Sequence, residues 1–256
     1  MRPVSLLARQ VRYVNKAFWR NPASAFFTFA FPLMFLVIFT SLLGSFKVLL
    51  GSGREVSSAT YYVSAMATFA VITACYTNVA MNMAFQRDLG ILKRTRGTPL
   101  PASLYFAARV LHALFVGVLL VVITAAFGHF LYHAQIPSGV TLLRFAVMLL
   151  VGSGSFAALA FAISSVTPNA DAAPAVVNAS ILPLLFLSGI FIPEGTHTPD
   201  WIRWIARIFP VEHFAAGMQA GFLGTHFAWF DVLIVALWGL GGLLVAVRFF
   251  SWEPRT

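Results

Sequence analysis

The chain has 256 residues, of which 59% are hydrophobic and only 10% are charged, and its net charge is +9 at pH 7. A soluble domain has about 25% charged residues, and disordered chains are poor in apolar side chains. The composition therefore excludes both classes and predicts an integral membrane protein. Its apolar stretches are continuous rather than alternating, which disfavours a membrane barrel, so we expect a single all-α domain over residues 1–256.

Six stretches of the chain match the length of a membrane-spanning helix, which needs about 20 mostly apolar residues. The spans are predicted near 24–46, 60–84, 104–130, 143–166, 173–193 and 229–249. Twelve of the 17 Lys and Arg residues fall on the side that holds both termini. Because basic residues concentrate in the cytoplasm, both termini are predicted to be cytoplasmic. We attribute the net charge to this topology and to membrane lipid, and we expect no nucleic-acid partner.

Residues 3–20 precede the first span and combine an apolar stripe with a basic one. Apolar side chains recur at helical spacing from Leu7 onward, and Arg9, Arg12 and Lys16 take another face. This pattern is typical of a helix that lies on an anionic membrane surface, so we predict an interfacial amphipathic helix. A basic flank that only sets the orientation of the chain is the alternative.

The second span carries Asn78, Asn82 and Gln86 at intervals of four residues, so these side chains share one face of a helix. We predict that this polar face, with Asn178 and Ser188 of the fifth span, lines a transport pathway or a seam between subunits. The alternative is that these groups only join helices, because polar side chains in a bilayer need hydrogen-bond partners.

The loop 86–99 is the longest cytoplasmic connection. Leu89, Leu92 and Arg96 would share one face of a short helix, which Gly97 would help to end. A short charged helix with a few apolar side chains suits docking onto a soluble partner. On residue chemistry alone, a solvated loop that only sets topology is an equally good interpretation.

The third span carries a basic residue near its start and two histidines near its end. Arg109 is expected to snorkel to the lipid headgroups. His129 and His133 have a spacing that can bind a metal, but no third ligand lies nearby. We therefore expect an interfacial histidine pair and no metal site.

Residues 195–228 form an external region before the last span. Trp201 and Trp204 begin an apolar stripe at helical spacing that predicts an aromatic anchor in the outer headgroup layer. The apolar segment from Val211 to Phe230 is broken by glycines and is too short to span. We predict re-entrant helices that dip into the outer leaflet without crossing it.

The sequence lacks the chemistry of an autonomous pump or enzyme. It has no Gly-x-x-x-x-Gly-Lys-Ser/Thr loop for nucleotide phosphates. None of its eight acidic residues falls in the middle of a predicted span, where ion-coupled carriers place ionisable groups. We predict no catalytic residues and no bound cofactor, and we expect a membrane subunit that takes its energy from another protein.

Four segments, in this order and spacing, resemble the permease subunit of type-2 ABC exporters. They are Arg20-Asn21-Pro22 leading into Phe29-Ala30-Phe31-Pro32-Leu33, the run from Asp88 to Arg94 followed by Gly97-Thr98-Pro99-Leu100, the run from Leu182 to Pro193, and Phe209-Pro210 with His213. The chain departs from the family pattern at Asp88, where Glu is commoner, and at Ile91, where Thr is commoner.

The resemblance implies a partner and a mechanism. Two permease subunits would pair, most simply as a homodimer although a heterodimer is open, and two ABC ATPase subunits would bind ATP and Mg below them. The implied coupling helix consists of Arg87, Asp88, Leu89, Gly90, Ile91, Leu92, Lys93, Arg94 and Thr95. A lipophilic drug, a lipid or a glycan-type substrate would leave across a bacterial inner membrane.

Two other classes of protein stay open at this point. A membrane-embedded lipid-modifying enzyme would need acid–base groups at one membrane face, and the candidates are Glu194, His197, Asp200, Glu212 and His213. An accessory protein that only scaffolds others is the third class.

Overall fold

The structure is a computed structural model that describes residues 3–43, 47–49, 55–193 and 199–253. Within these ranges two short strands pair antiparallel, β1 (Lys47–Leu49) and β2 (Glu55–Ser57). The helices of the described ranges are α1 (Pro3–Trp19), α2 (Pro22–Leu43), α3 (Ser58–Ile72), α4 (Asn78–Asp88), α5 (Ile91–Arg96), α6 (Ala102–Tyr132), α7 (Gly139–Val166), α8 (Ala173–Leu187), α9 (Asp200–Ile208), α10 (Pro210–Leu223) and α11 (Trp229–Phe249).

Five helical segments are long and apolar enough to cross a membrane, which confirms the prediction of an all-α integral membrane protein. They are Pro22–Leu42, Ser58–Asp88, Ala102–Tyr132, Gly139–Val166 and Trp229–Phe249. The second of them joins α3 to α4 without a break through a π-helical turn, Thr73–Thr77. Each of the five overlaps a predicted span, and residues 44–46 of the first prediction lie outside the described residues.

The fifth predicted span, near 173–193, is shorter than expected. Its helix α8 has 15 residues and ends before Ser188 and Gly189. Gly189 takes a φ of 70°, a left-handed conformation that glycine adopts without steric penalty and that ends a helix. The apolar run continues past this point, which is why hydrophobicity alone predicted a longer span.

Helix α3 is the centre of the bundle, since every residue from Ser58 to Ile72 is buried. It packs against α2, α6 and α10. Helix α7 packs along α11, and a Cβ on Gly239 of α11 would lie 2.8 Å from the Cα of Ser155. Small residues on α7 and α11 therefore allow the two helix backbones to approach closely.

The N-terminal helix α1 has the two faces that the sequence predicts. Its apolar stripe turns inward, with Val14 buried, and packs mainly on α6. Arg9, Arg12 and Lys16 lie on its exposed face. The C-terminal residues reach the same region, because the ring of Trp252 lies 5.8 Å from that of Tyr105 near the start of α6.

Two helices occupy the described part of the predicted external region, whose residues 195–198 lie outside the described ranges. Helix α9 exposes Trp201 and Trp204. Helix α10 is largely buried against α3, α7 and α11. With 14 residues, α10 is about 21 Å long, less than the thickness of a bilayer core.

Candidate functional site

Arg87 in the last turn of α4 is the largest fully buried side chain of the described residues. Its Nη1 donates to the carbonyl oxygen of Ser164 at 2.8 Å, and its Nη2 donates to those of Thr167 at 2.7 Å and Pro168 at 3.1 Å. The last carbonyls of a helix have no partner within it and carry its negative dipole end. The guanidinium therefore closes the carboxyl end of α7.

Asp88 extends this contact into the turn between α7 and α8. One carboxylate oxygen accepts a hydrogen bond from the backbone N–H of Ala170, and the other lies 3.5 Å from the Nε of Arg87. The turn is also held from within, since the Asn169 side chain accepts from the N–H of Ala172 at 2.8 Å. The adjacent charged residues Arg87 and Asp88 of α4 therefore bind the carboxyl end of α7 and the turn that leads into α8.

The chain turns sharply after Asp88, which overturns part of the sequence prediction. Gly90 takes a φ of 68° and redirects the chain into the short helix α5. Leu92 is fully buried, whereas Leu89 is 67% exposed. The expectation that Leu89, Leu92 and Arg96 share one face is therefore wrong, because it assumed one continuous helix through Gly90.

The nine residues of the predicted coupling helix divide into an inner and an outer group. Arg87 and Leu92 are buried, and Asp88 is half-buried. The outer group presents apolar and basic side chains on the same surface, and its exposed members are Leu89, Ile91, Lys93 and Arg94. We call these four residues the exposed patch.

Trp252 and Glu253 lie beside the exposed patch. Glu253 is 3.8 Å from the Nζ of Lys93, and both side chains are exposed. Trp252 packs its ring near those of Tyr105 and Phe106 on α6. Nothing in the sequence of these last residues indicated this position, except the aromatic character of Trp252.

Helix α8 runs antiparallel to the span Ser58–Asp88, and hydrogen bonds join the two near the centre of α8 and just beyond each of its ends. The Asp88 contact to Ala170 lies before its start. The hydroxyls of Tyr76 and Ser180 are 2.7 Å apart near its centre, and the Tyr61 hydroxyl donates to the carbonyl of Gly189 just beyond its end.

The predicted polar face of the second span is only partly assembled. Asn78 donates to Thr28 of α2 at 3.3 Å, and Gln86 accepts from the Tyr105 hydroxyl at 2.9 Å and from Arg109. Asn82 is exposed and bonds back to its own helix. The face thus joins helices at two of its three positions.

The remaining predicted residues of the spans are Ser188 and Asn178 of the fifth span and Arg109 of the third. Ser188 donates to the Leu185 carbonyl of its own helix at 3.1 Å, and Asn178 is half-buried on α8. The guanidinium of Arg109, which we expected to snorkel, bonds to Gln86 and to the hydroxyl of Tyr105 at 3.0 Å.

Three of the five candidates for an enzyme site lie among the described residues. Glu194 and His197 lie outside the described residues, and Asp200 is an exposed surface residue. His213 is buried between the Asp231 carboxylate, 2.7 Å from its Nδ1, and the Arg207 carbonyl, 2.9 Å from its Nε2. Both ring nitrogens are engaged, so this histidine has none left to act as a general base.

Glu212 lies next to this pair, with Oε2 3.9 Å from the Nε2 of His213. Within the described ranges, no three His, Cys, Asp or Glu side chains form a group that could hold a metal ion. The arrangement fixes α10 to the end of α9 and to the start of α11. It is a structural joint in the fold.

Comparison with known proteins identifies the family. The profile of the ABC-2 type transporter family matches residues 5–223. The chain is 26% identical over 225 residues to "Putative transport permease ycf38" of Porphyra purpurea, which covers 86% of this chain and 75% of the relative. It is 22% identical over 232 residues to "Putative transport permease YvfS" of Bacillus subtilis (strain 168), which covers 91% of each. The chain therefore belongs to the ABC-2 type transporter family, as a membrane permease and not an enzyme.

Proposed function

We propose that this permease exports a lipophilic or amphipathic substrate with energy from a separate ABC ATPase, which binds the ATP and Mg. The observation that carries the proposal is the division of residues 87–95. The exposed patch offers two apolar and two basic side chains to a soluble partner, and Arg87 and Asp88 fasten the same segment to α7 and α8.

This arrangement can transmit a movement of the docked partner to the membrane helices. Movement of a partner docked on Leu89 and Ile91 would shift α4 through the Leu89–Gly90 turn. Arg87 would carry that shift to the carboxyl end of α7, and Asp88 would carry it to the α7–α8 turn. Three membrane helices would then respond to one contact, which is what alternating access in a permease requires.

The contacts of α8 support a sixth crossing. Its bonds to α3 and α4 run from the Asp88 end of that long helix to the Tyr61 end, which are the two ends of an established candidate span. Six crossings put both termini on one side. The contact of Trp252 with Tyr105 and the packing of Phe18 against His112 support this, because both lie in the first third of α6.

We further propose that the exposed patch faces the cytoplasm of a bacterial cell and that two copies of the permease pair. The Lys and Arg distribution supports the orientation. Apolar space supports a lipophilic or amphipathic cargo, such as a drug, a lipid or a lipid-linked glycan: a cavity of about 300 Å³ lies between α7, α8 and α11, with Tyr76, Ser180 and Trp238 in its wall.

The experiment is co-purification of the permease with the ABC ATPase encoded beside it, followed by transport in proteoliposomes. The variants Leu89→Asp and Ile91→Asp should lose bound ATPase and transport, because an acidic charge replaces an apolar contact at each exposed position. Both should insert into the membrane normally, since both side chains are exposed and lie outside the predicted spans.

Val140→Asp is the matched control. Val140 is an exposed aliphatic residue in the first turn of α7, and an acid there is compatible with the helix dipole. It should leave ATPase binding intact. Absence of any ATPase in the purified complex would overturn the proposal, and so would normal transport by Leu89→Asp and Ile91→Asp.

A further inference from the structure

A small pocket lies where the interfacial helix α1 crosses α4 and α6. Its volume is about 50 Å³, and a cavity needs roughly 10–15 Å³ on this measure to hold one water molecule. A group of a few heavy atoms therefore fits. Its walls include Val14 and Phe18 of α1, Asn78 and Asn82 of α4, and Arg109 and His112 of α6.

The pocket contains a cation without a counter-charge. The described partners of Arg109 are neutral: the amide oxygen of Gln86 and the hydroxyl and ring of Tyr105, with the ring centroid 5.1 Å from the guanidinium carbon. Among the described residues no Asp or Glu lies within ion-pair distance of Arg109. Arg109 is half-buried, and a charge that is partly removed from water in a membrane protein is normally paired.

The pocket also has unused hydrogen-bonding atoms. The Nε of Arg109 and the Nδ1 of His112 are buried, and neither has a hydrogen-bond partner among the described residues. Buried polar groups in folded proteins are nearly always satisfied. Arg109 Nε is a donor, and His112 Nδ1 is one in the matching tautomer. Both atoms therefore suit the oxygens of an anion.

The depth of the pocket indicates where such an anion comes from. Arg109 is seven residues into α6, which places it about 10 Å along the helix axis from Ala102. With the loop 86–99 in the cytoplasm, as proposed above, this distance corresponds to the level at which headgroups meet acyl chains. Helix α1 beside it carries Arg12 and Lys16 on its exposed face. Basic residues of this kind attract anionic lipids to the same surface.

We propose that this pocket binds the phosphate group of an anionic membrane lipid and that the bound lipid ties α1 to α4 and α6. Phosphate supplies the missing negative charge and several acceptor oxygens, which accept charge-assisted hydrogen bonds from Arg109. The apolar walls from Val14 and Phe18 suit the start of the acyl chains. The lipid has a structural role and is distinct from the transported substrate.

The test measures binding and thermal stability of the delipidated permease in detergent with three probes: dioctanoyl phosphatidylglycerol, dioctanoyl phosphatidylcholine and inorganic phosphate. Phosphatidylglycerol should bind saturably and raise the melting temperature, because a ligand that binds only the folded state stabilises it. Phosphatidylcholine should do so much less, since its choline cancels the charge. Inorganic phosphate should bind more weakly than phosphatidylglycerol.

Arg109→Gln should weaken phosphatidylglycerol binding about tenfold, which is the effect of losing one charge-assisted hydrogen bond. His112→Leu should also weaken phosphatidylglycerol binding. It provides the test if Arg109→Gln does not fold. Arg144→Gln is the matched control, because Arg144 lies at a similar distance into α7. It should leave binding unchanged.

Three outcomes would overturn the proposal. The first is equal binding of phosphatidylglycerol and phosphatidylcholine, and the second is inorganic phosphate binding as tightly as phosphatidylglycerol. The third is loss of ATPase binding in Arg109→Gln with normal phosphatidylglycerol binding, which would assign the pocket to a protein contact. None of these readouts depends on the ATPase-docking variants at Leu89 and Ile91.

Discussion

Arg87 and His213 are both buried at helix ends, but they are held in different ways. Arg87 uses one side chain to satisfy three backbone carbonyls around the end of α7. His213 uses two ring nitrogens, one for the Asp231 carboxylate and one for a carbonyl at the end of α9. The first joint depends on backbone geometry, and the second depends on a matched pair of side chains.

This difference has consequences for what each joint can do. A guanidinium is charged at any physiological pH and presents its donors in a rigid plane, so the Arg87 joint keeps its geometry while the helices on both sides move. A neutral imidazole has a single N–H, so the His213 joint needs one further proton on the histidine or on Asp231 to satisfy both contacts. The Arg87 joint suits transmission, and the His213 joint suits a fixed anchor.

The largest expected effect comes from Arg87→Met. The change leaves the carbonyls of Ser164 and Thr167 buried without donors, and removal of one partner from a buried charged contact costs about 3–5 kcal/mol. We expect a loss of this size in the free energy of unfolding in mixed micelles, together with loss of substrate-stimulated ATPase activity.

Arg94→Met is the control for this variant, because Arg94 lies seven residues further on and is exposed. It should change stability by less than about 0.5 kcal/mol, as is usual for surface positions. Equal stability of the two variants would show that the carbonyls at the end of α7 do not depend on Arg87.

A smaller effect is expected from His213→Leu. The substitution leaves Asp231 and the Arg207 carbonyl without their partner, which costs about 1–3 kcal/mol for a buried hydrogen-bonding group. The double variant His213→Leu with Asp231→Leu should recover part of the loss, because the two side chains act as a pair.

His226→Leu is the control, since His226 is exposed between α10 and α11. It should have little effect on the free energy of unfolding. Full additivity of the two single substitutions at His213 and Asp231 would contradict the pairing on which the comparison rests.

The smallest effect is expected from Tyr76→Phe, which removes the hydroxyl contact to Ser180 at the centre of α8. Hydrogen bonds between membrane helices contribute about 0.6 kcal/mol on average. The unfolding free energy should fall by about that amount, and Tyr132→Phe should leave it unchanged. A loss as large as that of Arg87→Met would mean that α8 is held mainly at its centre.

The sequence predicted the long helices well because their signal is local. Continuous apolar runs identify a span regardless of its neighbours, and five of six were confirmed as candidate spans. The amphipathic pattern of α1 is local in the same sense. The fifth span was predicted too long because one residue, Gly189, ends α8 inside an apolar run that continues.

The residues of the candidate site were harder to predict because their partners are remote. Arg87 bonds to carbonyls almost eighty positions away in the chain, and backbone carbonyls leave no mark in a sequence. Leu92 was expected on the same face as Leu89 and Arg96, but after the turn at Gly90 it is buried in the bundle. The bond of Arg109 to Gln86, 23 residues away in the chain, likewise leaves no local signal in the sequence.

The close contact of α7 with α11 makes the two helices one mechanical element. Near Gly239 and Gly242 the α11 backbone lies against the backbone of α7, which a Cβ at either position would approach within about 3 Å. If Arg87 displaces the carboxyl end of α7, α11 should therefore move together with α7. Enlarging Gly239 to Val should then impair energy transfer to the last helix, although this residue is remote from the exposed patch.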